Sequence, residues 1–127
     1  MDEHPNAAAW RAQQAAMERG DFQVMFDTLD DDVEWHEIGN PDAVRGKQAV
    51  IQRWTSSGLG DVQFESHLHD VVANDDHTIG LVETTVTRGD KSITYRTAEI
   101  VHVRDGKITA RWAFSDDTDA INRFFGS

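Results

Sequence analysis

After Gly60 the chain is written almost entirely as strand patterns joined by turns of a few residues, and this feature limits its fold more than any other. "VQFESHLHDVVA" and "TIGLVETTVTRG" flank the turn "NDDH", and "KSITYRTAEIVHV" and "KITARWAFSD" flank "RDG". Connections this short cannot carry a crossover helix, so consecutive strands must pair antiparallel.

The first half reads differently. "PNAAAWRAQQAAMERG" is rich in helix formers, with Pro5 suited to a first turn and Gly20 to the stop. "DFQVMFDTLDDD" predicts a second, short helix with Asp21 as N-cap and Phe22, Met25, Phe26 and Leu29 at helical spacing. The period then changes to two. Val33, Trp35 and Glu37 share one face of a strand, and Glu34, His36 and Ile38 share the other. "GNPDAVRG" is a turn region, "KQAVIQRWTSSG" predicts a third helix, and "DTDAINRFFG" a last short one. Helices grouped early and hairpins grouped late predict an α+β domain, with helices across one face of a curved, mostly antiparallel sheet that closes into a cone.

Length and composition narrow the function. A chain of 127 residues suits one domain, and 39% hydrophobic with 28% charged residues suits a folded one. No apolar run approaches the roughly 20 residues of a membrane span. "MDEHPNAAAWRAQQ" lacks the basic and apolar segments of a signal peptide, so a cytoplasmic location is expected. The absence of cysteine excludes disulfides, thiol nucleophiles and thiolate metal sites. A net charge of −11 disfavours nucleic acid and anionic membranes as partners. Solubility is the simplest reading of that acidity, and steering of cationic ligands the alternative.

"ERGDFQVMFDTLDDDVEWHEIG", "RGKQAVIQRW" and "VHVRDGKITARWAFSD" together resemble the SnoaL-like branch of the nuclear transport factor 2-like superfamily, which also holds ketosteroid isomerase and limonene epoxide hydrolase. The resemblance runs from about residue 6 to residue 124. It implies a cone-shaped barrel with an apolar pocket, usually in a homodimer, and no cofactor. Function in such a pocket rests on a few polar groups in an apolar lining.

The residue-level expectations follow from that resemblance. Glu37 falls on the general-base aspartate of the isomerase, and its parity with Val33 and Trp35 predicts that it faces inward. There an apolar wall would raise its pKa. The alternative is a glutamate at a strand end, bonded to the following turn. His36 adjoins it but faces the other way in a regular strand; a bulge would bring both inside. At the late hairpin, a three-residue loop sets Val103 opposite Lys107 and Glu99 opposite Arg111. That register groups Tyr95, Thr97, Val101, Ala113 and Ser115 on the inner face. Ala98, Ile100, Trp112 and Phe114 form an outer apolar face suited to a dimer contact. A two-residue Asp105-Gly106 loop would pair Glu99 with Trp112 instead. The first register matches the pocket side of the family.

Glu99 then lies near the isomerase position that holds a protonated aspartic acid. Arg111 opposite it would favour the ionised form, either as a structural pair or as a binder of an anionic or enolate oxygen. The isomerase's first-helix tyrosine falls on Gln13, and Tyr95 could replace it from a strand. The late catalytic aspartate of the epoxide hydrolase falls on Ala113 and its arginine near Leu81, while Glu83 lies near its other aspartate. Hydrolysis by that mechanism is therefore not expected. Asp116 reads as a cap for the last helix. Trp10, Trp35, Trp54 and Phe64 are expected in the core or pocket wall, favouring a flat hydrophobic ligand. In "ESHLH", Glu65, His67 and His69 share a face, but the glutamate that a cupin-type site needs a few residues after the second histidine is missing, as is a second glycine-and-histidine motif, and no metal is expected. Two readings remain. One is an isomerase or cyclase moving a proton on a hydrophobic carbonyl compound, with Glu37 as base. The other is a non-catalytic pocket or dimeric interaction module.

Overall fold

The structure, a computed structural model, describes residues 3–56 and 61–126. Its order is α1 (Pro5–Glu18), α2 (Phe22–Asp27), β1 (Leu29–Trp35), β2 (Val44–Arg45), α3 (Lys47–Ser56), β3 (Gln63–Ala73), β4 (Thr78–Arg88), β5 (Lys91–Arg104), β6 (Lys107–Ser115) and α4 (Thr118–Gly126). The Gly58 and Gly60 break expected after the third helix lies outside the described residues. The strands form a six-stranded sheet in the order β2-β1-β6-β5-β4-β3, antiparallel except for the β1–β6 pair. The α+β architecture is the expected one.

Local signals act where the sequence puts them. Asp21 caps α2, its carboxylate accepting from the Val24 N–H at 3.3 Å. Gly20 takes φ +70 between α1 and α2, a conformation that favours glycine. The last helix is capped by Asp117, which accepts from the Ala120 N–H at 3.1 Å. Asp116 instead accepts from the Arg96 backbone N–H at 3.0 Å, tying the end of β6 to β5.

The core falls into two parts. Trp10, Leu29, Val33, Trp35, Val50, Val101 and Ile108 pack where α1 and α3 cross the sheet. Val62, Val86, Tyr95 and Ile121 pack under α4, with Phe64 and Phe124 against them. Each fully buried aliphatic side chain contributes on the order of 1.5–3 kcal/mol. Trp10 lies flat across Gly80, where any Cβ would overlap its benzo ring. Gly80 is thus the thin point that lets α1 seat on the sheet.

The late hairpin corrects the expected register. Asp105 and Gly106 form a two-residue turn with φ of 54 and 77, and Arg104 pairs with Lys107. A bulge follows between the Val103↔Ile108 and His102↔Ala110 pairs, leaving Thr109 as the extra residue. Beyond it Glu99 pairs with Ala113 and Val101 with Arg111, so Glu99 and Arg111 are diagonal neighbours. The bulge restores the parity that the shorter turn would have lost. The expected faces therefore survive although the expected pairs do not.

Candidate active site

Alternation along β5 buries Tyr95, Thr97, Glu99, Val101 and Val103 on the inner face. Trp35 of β1, and Arg111 and Ala113 of β6, join them from the neighbouring strands. Among them sits an ion pair in apolar surroundings. Arg111 donates to Glu99 Oε1 from Nη2 at 2.8 Å and from Nε at 3.2 Å. Both side chains are 12% exposed. Its Nη1 donates to the His36 carbonyl at 2.9 Å, and its guanidinium lies 4.6 Å from the Trp35 ring centroid. The guanidinium carries five N–H groups, so donors remain beyond these bonds. Glu99 Oε2 accepts from no described residue.

Tyr95 stands four residues before Glu99 on the same face and is 8% exposed. Burial, reinforced by the Glu99 carboxylate and offset in part by Arg111, pushes its phenol up to about 12. It is a neutral hydrogen-bond donor throughout the physiological range. Around it, Val86, Ile121, Phe64 and Phe124 make an apolar rim under α4.

Other expected pocket residues are sorted by the fold. Trp10 is buried across Gly80, whose cross-strand partner is Glu99, so the indole lies beneath the ion pair. Gln13 is buried but committed, donating to Thr28 Oγ1 at 3.1 Å. Trp54 meets Trp35 edge-on at 4.9 Å and stacks on Phe26 at 5.9 Å. Phe64 is partly buried under α4, and Ala113 lines the inner face.

Two expectations, for Glu37 and Glu83, are corrected, and His36 faces outward as a regular strand requires, which takes it out of the catalytic set. Glu37 does not continue the inner face, because β1 ends at Trp35 and Asn40 N–H closes a turn onto the Glu37 carbonyl at 3.1 Å. Its carboxylate meets Arg53 of α3 at 3.1 Å, 28% exposed. His36 does not share a pocket with Glu37. Its ring faces the outer side, 2.8 Å from Glu34 and stacked 5.0 Å from Trp112. Glu83 is on the outer face too, cross-strand from Arg96 and His67, and 3.4 Å from the Arg96 guanidinium.

The outer face carries features that the sequence reading passed over. Glu34 bridges His36 and Arg45, and those two partners, His36 first, hold its carboxyl below the usual range. His102 meets Trp112 edge-on at 5.0 Å and His77 meets His102 at 4.8 Å. Only the even parity of His102 and Trp112 signalled this contact. An open groove of about 550 Å³ runs beside Leu81, Glu83, Arg96, Ala98 and Phe114, with His67 and His69 at its wall. Among the described residues no three metal-ligating side chains converge. Among the described residues no helix is long and apolar enough to cross a membrane.

Comparison with known proteins agrees with this architecture. The SnoaL-like domain family matches residues 10–111. A limonene epoxide hydrolase-like epoxide hydrolase of M. tuberculosis superposes with a TM-score of 0.79 at 20% identity, covering 97% of each chain. A protein of unknown function with a cystatin-like fold from Xanthomonas campestris gives 0.79 at 19%, covering 96% of this chain and 98% of the other. A nuclear transport factor 2-like protein of unknown function from Burkholderia pseudomallei gives 0.78 at 16%, covering 98% and 99%. At these identities the likeness establishes the fold. No curated protein matches the chain.

Proposed function

The chain belongs to the SnoaL-like domain family, and we propose that its inner sheet face binds a hydrophobic carbonyl compound and moves a proton on it. The observation that carries this reading is the Glu99 carboxylate, buried, held through Oε1 by Arg111 and left with Oε2 unbonded by any described residue. A ligand carbonyl would accept from the neutral Tyr95 phenol and from a remaining Arg111 N–H. Glu99 Oε2 would take the proton from the adjacent carbon, and the electron pair would move onto the carbonyl oxygen as an enolate. Return of that proton to another carbon is isomerisation. Attack of the enolate carbon on a second carbonyl carbon of the same molecule, whose C=O π bond opens to an alkoxide that takes the proton back from Glu99, is cyclisation. Buried donors aimed at a developing oxyanion supply the main stabilisation. This reading moves the base from Glu37, whose carboxylate is engaged by Arg53, to Glu99. Solvent-deuterium incorporation into a panel of hydrophobic ketones tests it, with Glu99→Gln expected to reduce exchange by about 10²–10⁴.

A second reading has a separate observation behind it. Phe114, Val72 and Leu81 are 62%, 55% and 40% exposed on the outer face, and Phe114 and Leu81 line the groove. A protruding ring next to a shallow groove is self-complementary across a two-fold axis. On this reading the protein is a homodimer through that face, and the inner ion pair is structural. Sedimentation of Phe114→Glu tests the dimer without touching the inner face.

A further inference from the structure

Four hydroxyls share one patch of the inner sheet face, and none of them is hydrogen-bonded to a described residue. Ser66 of β3, Thr84 of β4 and Tyr95 of β5 stand in a row across three strands, through the pairs Ser66↔Thr84 and Thr84↔Tyr95. Thr97 follows two residues after Tyr95, on the same side. The Ser66 Oγ is buried without a partner, and Thr84 and Thr97 are 6% and 8% exposed. Neighbouring hydroxyls do pair: Thr85 with Thr94 at 2.8 Å, and Ser115 with Thr118 at 2.7 Å. A buried hydroxyl without a partner lowers stability, because it gives up its bonds to water and gains none in return.

The patch lies on the seam between the two parts of the core. Val82 belongs to the part under α1 and Val86 to the part under α4, and Thr84 separates them along β4. A cleft of about 160 Å³ lies between α1 and the β3–β4 ladder, with Ser66, Leu68 and Val82 on one wall and Trp10, Gln14 and Glu18 on the other. It borders the seam, since Val82 pairs with Thr97. The charges beside the cleft are already engaged. Arg11 is held by Glu3 at 2.8 Å, and Glu18 accepts from the Ser66 backbone N–H. Hydroxyls donate and accept alike, which suits a neutral oxygen, and they offer an anion no countercharge.

We propose that the Ser66, Thr84 and Thr97 hydroxyls bind a second, neutral oxygen of the ligand, remote from its reacting carbonyl. The inference rests on the proton-transfer reading above, which puts that carbonyl among Tyr95, Arg111 and Glu99. Thr97 stands two residues from Glu99 along β5, and Thr84 lies opposite Tyr95, four residues away. These separations are roughly 7 and 13 Å along the sheet, a span that a fused bicyclic skeleton covers. The substrate class narrows to hydrophobic ketones that carry one further hydroxyl or carbonyl at the far end.

Titration calorimetry and deuterium exchange with β-decalone, its analogue hydroxylated on the far ring and the corresponding diketone test this. The native protein should bind one of the two doubly oxygenated compounds about tenfold more tightly than β-decalone, and which one it prefers assigns the oxygen as hydroxyl or carbonyl. The preference should shrink in Thr84→Val and Thr97→Val, while affinity for β-decalone stays within about twofold. Both variants should melt no lower than the native chain, because no bond is lost in the free protein. Thr78→Val is the control. Its hydroxyl is also buried without a partner, but it lies at the start of β4, away from the cleft, and the preference should be unchanged. Equal affinity for all three ketones, or a preference that survives both threonine variants, overturns the inference and leaves the proton-transfer reading standing. Variants that melt clearly lower would make the hydroxyls structural and overturn it as well. A preference that is lost in the variants, without catalysed exchange into any ketone, overturns the proton-transfer reading and keeps the oxygen seat. No measurable binding of any of the three overturns both.

Discussion

Arg111 grips Glu99 by one oxygen only: Nη2 and Nε both donate to Oε1, at 2.8 and 3.2 Å. A bidentate fork would occupy both carboxylate oxygens and close the pair on itself. The one-sided grip leaves the second oxygen of a buried carboxylate accessible to a third group. It follows from the register, because Glu99 pairs with Ala113, and Arg111 reaches it diagonally from beside Val101.

Removing one partner should cost more than removing both. Arg111→Met leaves a buried carboxylate unpaired and is expected to destabilise by about 3–5 kcal/mol. Glu99→Met/Arg111→Met should cost clearly less, since apolar replacements of similar volume often match or exceed a buried pair in stability. Urea unfolding of the two single variants and the double measures the coupling.

Tyr95 is the only tyrosine, so the phenolate absorbance of the folded protein reports a single group. Its midpoint is expected at about 12, against an ordinary value of 10.0. Because the folded value is the higher one, the stability it reflects is complete below the unfolded value. That stability is lost as the pH rises toward the folded one. Glu99→Gln removes the second-largest cause and should lower the midpoint. An unshifted midpoint in the native protein would place Tyr95 in water.

Gly80→Ala puts a methyl group into the Trp10 ring and is expected to cost about 1–3 kcal/mol. Trp10→Phe in the same chain should recover part of that loss, a coupling that thermal unfolding of the four combinations would resolve.

Much of this arrangement was legible in the sequence because strand parity is robust. Tyr95, Glu99, Arg111 and Ala113 share the inner face whether the late turn has three residues or has two plus a bulge. Even numbers of slips preserve sides. What parity cannot supply is where a strand stops. Glu37 follows Val33 and Trp35 at the correct spacing, yet β1 leaves the sheet at Trp35 and turns through Gly39 at φ +78. That glycine packs against α4, where a Cβ would come within 2.6 Å of Thr118 and 2.8 Å of Asn122. A contact with a helix some eighty residues downstream decides the turn, and no local pattern carries it. Glu83 was misplaced for a related reason, since its side depends on which β4 residue faces Glu99, and that residue is Gly80.

Glu37→Gln separates the two candidate bases. Its carboxylate bonds an Arg53 that is 56% exposed, a kind of pair worth about 0–1 kcal/mol at a surface. The variant is expected to unfold within about 1 kcal/mol of the native chain and to retain any proton-transfer activity. Loss of activity with unchanged stability would return the base to Glu37.

The most direct measurement is deuterium incorporation from heavy water into a panel of hydrophobic ketones, followed by NMR with the native protein, Glu99→Gln and Tyr95→Phe. The account predicts catalysed exchange into at least one ketone, reduced by about 10²–10⁴ in Glu99→Gln and less severely in Tyr95→Phe. Exchange that proceeds unchanged in Glu99→Gln, or no catalysed exchange into any ketone, would contradict it.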